Sequence, residues 1–501
     1  MARRDAVRIA TRVTTGIVGV AVLGVVVTGA LLLPPAAGDA SAPSVLVTPV
    51  VTDQQRVCPG SLLRPPAADA TSSTTAVAVG SAAVTSGSAA TGATGAAPAV
   101  RTSRIQAPEV QGGASSAPSV LAVAGAVDDA PTDLAGAASE IATSSDLAGL
   151  AATSCSEATA DAWLVGGATT TGRTTFVVLD NPSGVSSTVD LAITGEEGAV
   201  SAPGASGISV PAGGRRVLSL AGLAPDLSSP AVHVQSRGGQ VVARLEQSTV
   251  RGLLAGGVDW IGPAAAPSTA LTMTGLRIDS QAAPVAPVEG EEAPPADEGG
   301  AGSDGGADPD LVTAVRIVVP GSQDADVSVS VAPEEGTDGT GTTFTLQADA
   351  GRTIDVPVSA LPDGRYSVTV QSSAPVTAAV RSVSGAAESG ATDFAWLPSA
   401  GALSRDALVS VPAGPAPLLH LRNAGDQAAS VTARPTDGSA AVSLDVPAGS
   451  EVSAAVEAGR TYLLEGSAGL TATVTLAEPG RSAALPVVPV LPAADPLRVH
   501  P

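Results

Sequence analysis

The sequence predicts a mainly β protein, with tandem antiparallel β-sandwich-like modules after one N-terminal transmembrane helix. Three observations carry this expectation. Past the first forty residues, apolar and polar residues alternate with period two in short runs, and Asn-Pro, Pro-Ala-Gly and Gly-Gly steps punctuate the runs as turns do. The same succession of strand and turn signals recurs three times. Ahead of all of it lies a long uncharged stretch behind a basic start.

Residues 1–12 carry Arg3, Arg4, Arg8 and Arg12 against Asp5, and read as a cytoplasmic basic tail. From Val13 to Leu33 follow twenty-one residues without a charge. As a helix, that length spans a hydrocarbon core of about 30 Å. Lipid favours its Val, Leu, Ile and Ala side chains and resists the arginines, so the basic end stays inside and the remainder faces outward. A cleavable secretory signal is the rival reading, although its apolar stretch usually runs only about 7–15 residues. The nearby A-x-A triplet, Ala40-Ser41-Ala42, is followed by Pro43, which suits a peptidase poorly. Both readings export residues 40–501, and the first makes the lipid bilayer a partner through Val13 to Leu33.

Residues 34–156 form an extracytoplasmic segment rich in Ala, Ser, Thr and Gly, bracketed by Cys58 and Cys155. Its β-capable pieces are short, as in Ala76-Val77-Ala78-Val79 and Val120-Leu121-Ala122-Val123, so by itself it reads as weakly structured. The two cysteines are the only ones in the chain, and both lie where an oxidising compartment permits a disulfide. Pairing is the expectation, with two free structural thiols as the alternative. No histidine or second cysteine stands at ligand spacing beside either one, which argues against a metal there. A bond would tie the segment at both ends to the first module and make it a mixture of short strands and loops.

The first module, 157–266, offers Thr175 to Asn181-Pro182, Ser187 to Thr194, Ile208-Ser209-Val210-Pro211-Ala212-Gly213, Val217 to Leu220, Val232-His233-Val234 and Val241 to Leu245. The second, 267–400, repeats this with Val315 to Gly321, Asp326 to Val331, Ile354 to Val358, Tyr366 to Val370 and Val376 to Val380. It is interrupted at 280–310 by an insertion with many acids and no basic residue, a composition that predicts disorder. The third, 401–480, gives Leu419 to Gly425, Ala429 to Ala433, Leu444 to Gly449, Tyr462-Leu463-Leu464 and Leu470 to Leu476. Residues 481–501 form a proline-rich tail. Seven or so short strands per unit and no helical periodicity beyond the anchor point to sandwich-like packing.

The order of Cys58-Pro59-Gly60, Cys155, Trp163-Leu164-Val165-Gly166-Gly167, Leu179-Asp180-Asn181-Pro182, Val210-Pro211-Ala212-Gly213 and Gly257-Val258-Asp259-Trp260 after a membrane segment resembles DUF5719. That is an actinobacterial family of unknown function, and the resemblance covers nearly the whole chain. It implies an anchored, exported protein and assigns no catalytic residue.

Composition narrows the function classes. The formal charge is −22 and lysine is absent, so the basic stripe that nucleic acid requires is missing. An anionic exterior instead favours solubility. The Ala, Gly and Arg bias points to a GC-rich bacterial source. With three Trp, two Tyr and three Phe, the cores must draw their buried area from Val, Leu and Ala.

No catalytic, cofactor-binding or metal residue emerges. A serine hydrolase needs a histidine base, yet His233 and His420 sit in alternating strands on the side expected to face solvent, and His500 lies at the end. No G-x-S-x-G elbow occurs. Gly299 to Asp304 opens like a calcium-binding nonapeptide, but the motif occurs once and cannot stack. Asp180, Glu246 and Asp355 are candidates for a glycosidase carboxylate pair and are expected to be exposed, solubilising charges. Trp163, Trp260 and Trp396 are expected to pack between modules rather than against a sugar, because tryptophans recur at module ends. The expected function is a non-enzymatic envelope protein contacting another envelope protein or surface glycan. The alternative is an enzyme or accessory factor of cell-wall or surface-glycan metabolism.

Overall fold

The computed structural model describes residues 45–47, 53–66, 75–90, 98–112, 117–127, 130–279, 311–337, 339–358, 361–386, 390–488 and 497–499. The expected transmembrane helix at 13–33, the acidic insertion at 280–310 and much of the C-terminal tail lie outside the described residues. Among the described residues, no helix is long and apolar enough to cross a membrane. The chain divides into two compact units. In one, Met1–Val50 with Pro492–Pro501, the strand Val45–Val47 pairs antiparallel with Leu497–Val499. The other, Val51–Leu491, is mainly β, and its sheets are antiparallel apart from the pairing of Ala76–Val79 with Val110–Gln111.

In the first module, one sheet joins Asp161–Val165, Ala231–Arg237, Ser187–Gly195 and Gly198–Val200, with Ile208–Val210 on Ser187–Gly195. The facing sheet runs Arg215–Ser219, Arg173–Asp180, Val242–Arg251 and Leu254–Ile261. Strand pleating sends alternate residues to opposite faces, so Val189, Leu191 and Ile193 enter the core while Thr188 and Ala192 face out. Each fully buried aliphatic side chain contributes about 1.5–3 kcal/mol. One four-residue helix, Leu220–Leu223, departs from the all-strand expectation and is capped by the Ser219 hydroxyl.

The second module is organised by one long strand, Gly364–Ala386. Its first half pairs with Ser268–Ile278 and Ala325–Pro333, and its second half with Ala314–Val318 and Ala391–Pro398. A strand that changes neighbours along its length serves both layers of a sandwich. The third module faces Ala407–Ser410, Thr461–Glu465, Ala429–Pro435 and Val442–Val446 against Glu451–Ala455, Leu418–Asn423, Leu470–Glu478 and Arg481–Pro486. The last of these strands carries Ala483 and Leu485 into the module core, so the fold continues past the predicted boundary at residue 480. Ser482 to Leu485 are all buried, with Ala484 entering the core of the second module, so this strand lacks the period-two signal that marks a half-exposed one, and the prolines beyond it read as a tail.

An asparagine device is shared by the first and third modules. The Asn181 side-chain amide donates to Val185 O (2.8 Å) and Val210 O (3.2 Å), and its Oδ1 accepts from Ser183 N (3.0 Å). Asn423 donates to Gln427 O (2.7 Å) and Val446 O (3.1 Å), and accepts from Gly425 N (2.9 Å). Both stitch a strand end to the Val-Pro-Ala-Gly turn.

The Ala/Ser/Thr/Gly-rich segment is built of strands throughout its described part, including the fourteen-residue strand Ala130–Thr143. This strand pairs with Ala148–Ser154 and Ala83–Ala90. It is not a free stalk. Ala137, Leu150 and Ala152 join the core of the third module, and Leu62 and Leu63 pack with Phe176 and Trp260 of the first. Small residues make this possible because two backbones can approach closely across alanine.

Cys58 and Cys155 form a disulfide across a sequence separation of 97, and both are buried. Closing a loop of that size stabilises by about 4–5 kcal/mol in the chain-entropy model, and removal of native disulfides typically costs about 2–5 kcal/mol. Cys58→Ala/Cys155→Ala is therefore expected to lower the urea midpoint well below that of the non-reduced wild type. Equal midpoints would contradict this.

Candidate functional site

The closing strands of the three modules, Leu254–Ile261, Ala391–Pro398 and Arg481–Pro486, pack together beside Ala148–Ser154. At their meeting point lies Asp393, which is 0 % exposed. Its carboxylate accepts from Leu150 N (2.8 Å), Val258 N (3.1 Å) and Ser482 N (3.1 Å), one amide each from the N-terminal segment, the first module and the third. Two glycines make room for it. Gly149 (φ +145°) and Gly257 (φ +121°) would each place a Cβ within 3 Å of Asp393 Oδ1, and their backbone conformations disfavour side chains. Asp259, also 0 % exposed, accepts from Trp396 N (2.7 Å) and Trp260 N (2.9 Å). Burial pushes the Asp393 carboxyl up to about 8, although the backbone amides on it pull the other way. Asp259 is raised well above its ordinary value, first by burial and further by the nearby Asp393 charge.

The acids expected on the surface are instead inside. Asp180 is fully buried between Arg215 (Nε–Oδ1 2.7 Å) and Arg244 (Nη1–Oδ2 3.4 Å). Glu246, 1 % exposed, accepts from Leu63 N (2.7 Å). Buried Glu140 accepts from the preceding amide, Leu62 N (3.0 Å). Asp355 is mostly covered and held by both prongs of Arg316 (2.8 and 2.9 Å). Burial pushes the Asp355 carboxyl up, but Arg316 outweighs this and holds it below the usual carboxylate range. The sequence expectation failed because the outer face of each host strand is roofed by another part of the chain.

Arg316 also reaches Gly167 O (2.8 Å), Ser228 O (2.9 Å) and Pro230 O (3.1 Å) of the first module and lies 4.8 Å from the centre of the Trp396 ring. Trp396 sits in the first module's core, its indole N–H on Gln247 Oε1 (2.8 Å). Trp260 packs against Leu62 and Leu63. These two tryptophans join parts of the chain as expected. Trp163 instead stacks on His233 of its own sheet at 4.0 Å, and His233 Nε2 lies 2.8 Å from Asp161 Oδ2. His233 is thus half-buried rather than a plain surface residue.

Between the second and third modules opens a cleft of about 440 Å³, lined by Gly275, Arg277, Arg365, His420 and Thr475 among others. His420, predicted to face solvent, is 1 % exposed. Its Nδ1 lies 3.2 Å from Glu451 Oε1 and 4.0 Å from Glu334 Oε2, and its Nε2 lies 2.9 Å from Thr475 Oγ1. Arg365 and Ser453 hold the Glu334 carboxylate, and Gly275 N (2.9 Å) holds Glu451. Burial raises the Glu451 carboxyl, with His420 opposing.

Residues 109–459 match a family described as of unknown function, DUF5719. The chain belongs to DUF5719. No curated protein and no solved structure matches the chain. The DUF5719 match holds Asp180, Asp259, Glu334, Asp393, His420, Glu451 and Cys155, and leaves out Cys58 and Ser482. Within the DUF5719 region, sequence reasoning missed Asp259, Asp393, Glu334 and Glu451. The one available signal was Gly257 and Asp259 together in Gly257-Val258-Asp259-Trp260, where a glycine in a strand marks close backbone approach.

Proposed function

We propose that this chain is a non-enzymatic, membrane-anchored cell-envelope protein whose β-modules form an exported body with a structural or binding role at the cell surface. Its partner class is another envelope protein or surface glycan. The observation that carries this reading is how the central acids are used. A glycosidase pair must flank a sugar in a cleft with room for the reacting atoms. Asp259 and Asp393 have no solvent exposure and spend their oxygens on backbone amides, all but that of Trp260 from other parts of the chain. Such acids weld modules together.

Export is supported by the Cys58–Cys155 bridge, since disulfides persist in oxidising compartments. Anchoring rests on the four arginines before the uncharged stretch from Val13 to Leu33. A phosphatase that folds only outside the cytoplasm, fused after Pro501, is expected to be active in whole cells. Activity confined to a cytosolic reporter at the same position would overturn export and anchor together. Reproducible glycan hydrolysis by the purified chain, abolished by Glu451→Gln, would overturn the non-enzymatic part.

A further inference from the structure

Glu334 follows the strand Ala325–Pro333 of the second module, whereas His420 and Glu451 lie on the paired strands Leu418–Asn423 and Glu451–Ala455 of the third. One donor atom from each falls within 4.8 Å of the other two. All three residues are buried, at 4 %, 1 % and 1 % exposure. His420 Nδ1, although 3.2 Å from Glu451 Oε1, is not aligned for a hydrogen bond and has no hydrogen-bond partner among the described residues. Glu451 Oε2 has none either. Leaving one buried polar atom unsatisfied costs about 1–3 kcal/mol, and here two such atoms belong to side chains that converge. Thr475 can either accept from or donate to Nε2; in the tautomer that places the hydrogen there, the Nδ1 lone pair faces Glu451 and the Arg365-paired Glu334, and a metal ion would join all three.

We propose that Glu334, His420 Nδ1 and Glu451 form a binding site for a divalent ion of the zinc type, which clamps the second module to the third. Zinc bonds of about 2.0–2.2 Å in a tetrahedron place neighbouring donors roughly 3.3–3.6 Å apart. The observed 3.2 and 4.0 Å bracket that spacing. One imidazole nitrogen with two carboxylates suits zinc and its first-row neighbours, whereas calcium asks for about 6–8 oxygens. The supporting contacts are those of a metal site. Thr475 fixes the imidazole, Arg365 and Ser453 fix Glu334, and Gly275 N fixes Glu451, as outer partners do for metal ligands. His420 and Arg365 line the cleft, so the site lies directly behind its wall.

The rival occupant of the same place is a proton, making an imidazolium between the carboxylates, and a zinc titration separates the two. The full-length chain in detergent is stripped with chelator and titrated with Zn²⁺, following bound metal and Tm, with far-UV circular dichroism as the control for folding. The expected result is about one Zn²⁺ per chain and a Tm that rises with Zn²⁺. His420→Ala and Glu451→Gln should abolish both effects, and Thr475→Val should weaken binding about 10–100-fold by loosening the imidazole. Co²⁺ in place of Zn²⁺ should give a visible absorption band that His420→Ala removes. A stripped wild type that takes up no Zn²⁺, or a folded His420→Ala chain that holds as much as wild type, overturns the proposal. Should His420→Ala fail to fold, wild-type stoichiometry and the Thr475→Val affinity still decide.

Discussion

Replacing Asp393 with alanine is expected to lower the unfolding free energy by on the order of 5 kcal/mol, because three amides from three parts of the chain lose their acceptor at once and each buried orphan costs about 1–3 kcal/mol. Asp393→Asn keeps the shape and one oxygen, so its loss should be smaller. The two variants should also differ from wild type in pH dependence. Burial lifts the folded carboxyl to about 8 from an ordinary 3.8, so the folded state holds this proton more tightly than the unfolded chain does. Its contribution to stability is then fully present below about pH 4 and is lost as pH rises through 8. Wild-type urea midpoints should fall between pH 5 and pH 8.5, and Asp393→Asn should flatten that fall. A midpoint for Asp393→Ala equal to that of wild type would remove the hub from the account.

The strands were legible because period two survives in sequence wherever one face meets a core. Ser187–Gly195 shows it plainly, with inward Val189, Leu191 and Ile193. Parity also placed His420 correctly on the face opposite Leu419 and Leu421. What parity cannot reveal is a second cover. The second module lies over that outer face with Gly275 and Glu334, and a residue read as solvated becomes buried. Arg173–Asp180 and Val242–Arg251 repeat the lesson, since both of their faces are covered for most of their length. The Ala-rich strand Ala130–Thr143 was illegible for a different reason. Alanine and glycine carry little alternation in hydrophobicity, and the strand's order comes from pairing with Ala83–Ala90 and with Ala148–Ser154, which leads into the Cys155 bridge.

Asp180→Ala should act where the first module meets the residues around Cys58. Its carboxylate sits between Arg215 and Arg244, and those two guanidiniums reach Pro59 O (2.5 Å) and Val57 O (3.0 Å), on either side of Cys58. Burial lowers Arg244 to about 10, with Asp180 opposing the shift and Arg215 adding to it, so the acid is what keeps two buried cations tolerable. Removing one partner of a buried ion pair costs about 3–5 kcal/mol, chiefly because the remaining charge is left uncompensated. The damage should be local first. Hydrogen exchange at Val57 and Cys58 should accelerate more than exchange within the third module. Changing both arginines to methionine in the Asp180→Ala background should recover part of the loss, since the uncompensated charge is then gone, while the Pro59 carbonyl loses its donor and the Val57 carbonyl keeps that of Ser156 N (3.1 Å). If Asp180→Ala leaves both the urea midpoint and exchange near Cys58 unchanged, the ion pair does not hold the N-terminal segment to the first module, and the packing of Leu62 and Leu63 on Phe176 and Trp260, with Leu63 N on Glu246, must do so.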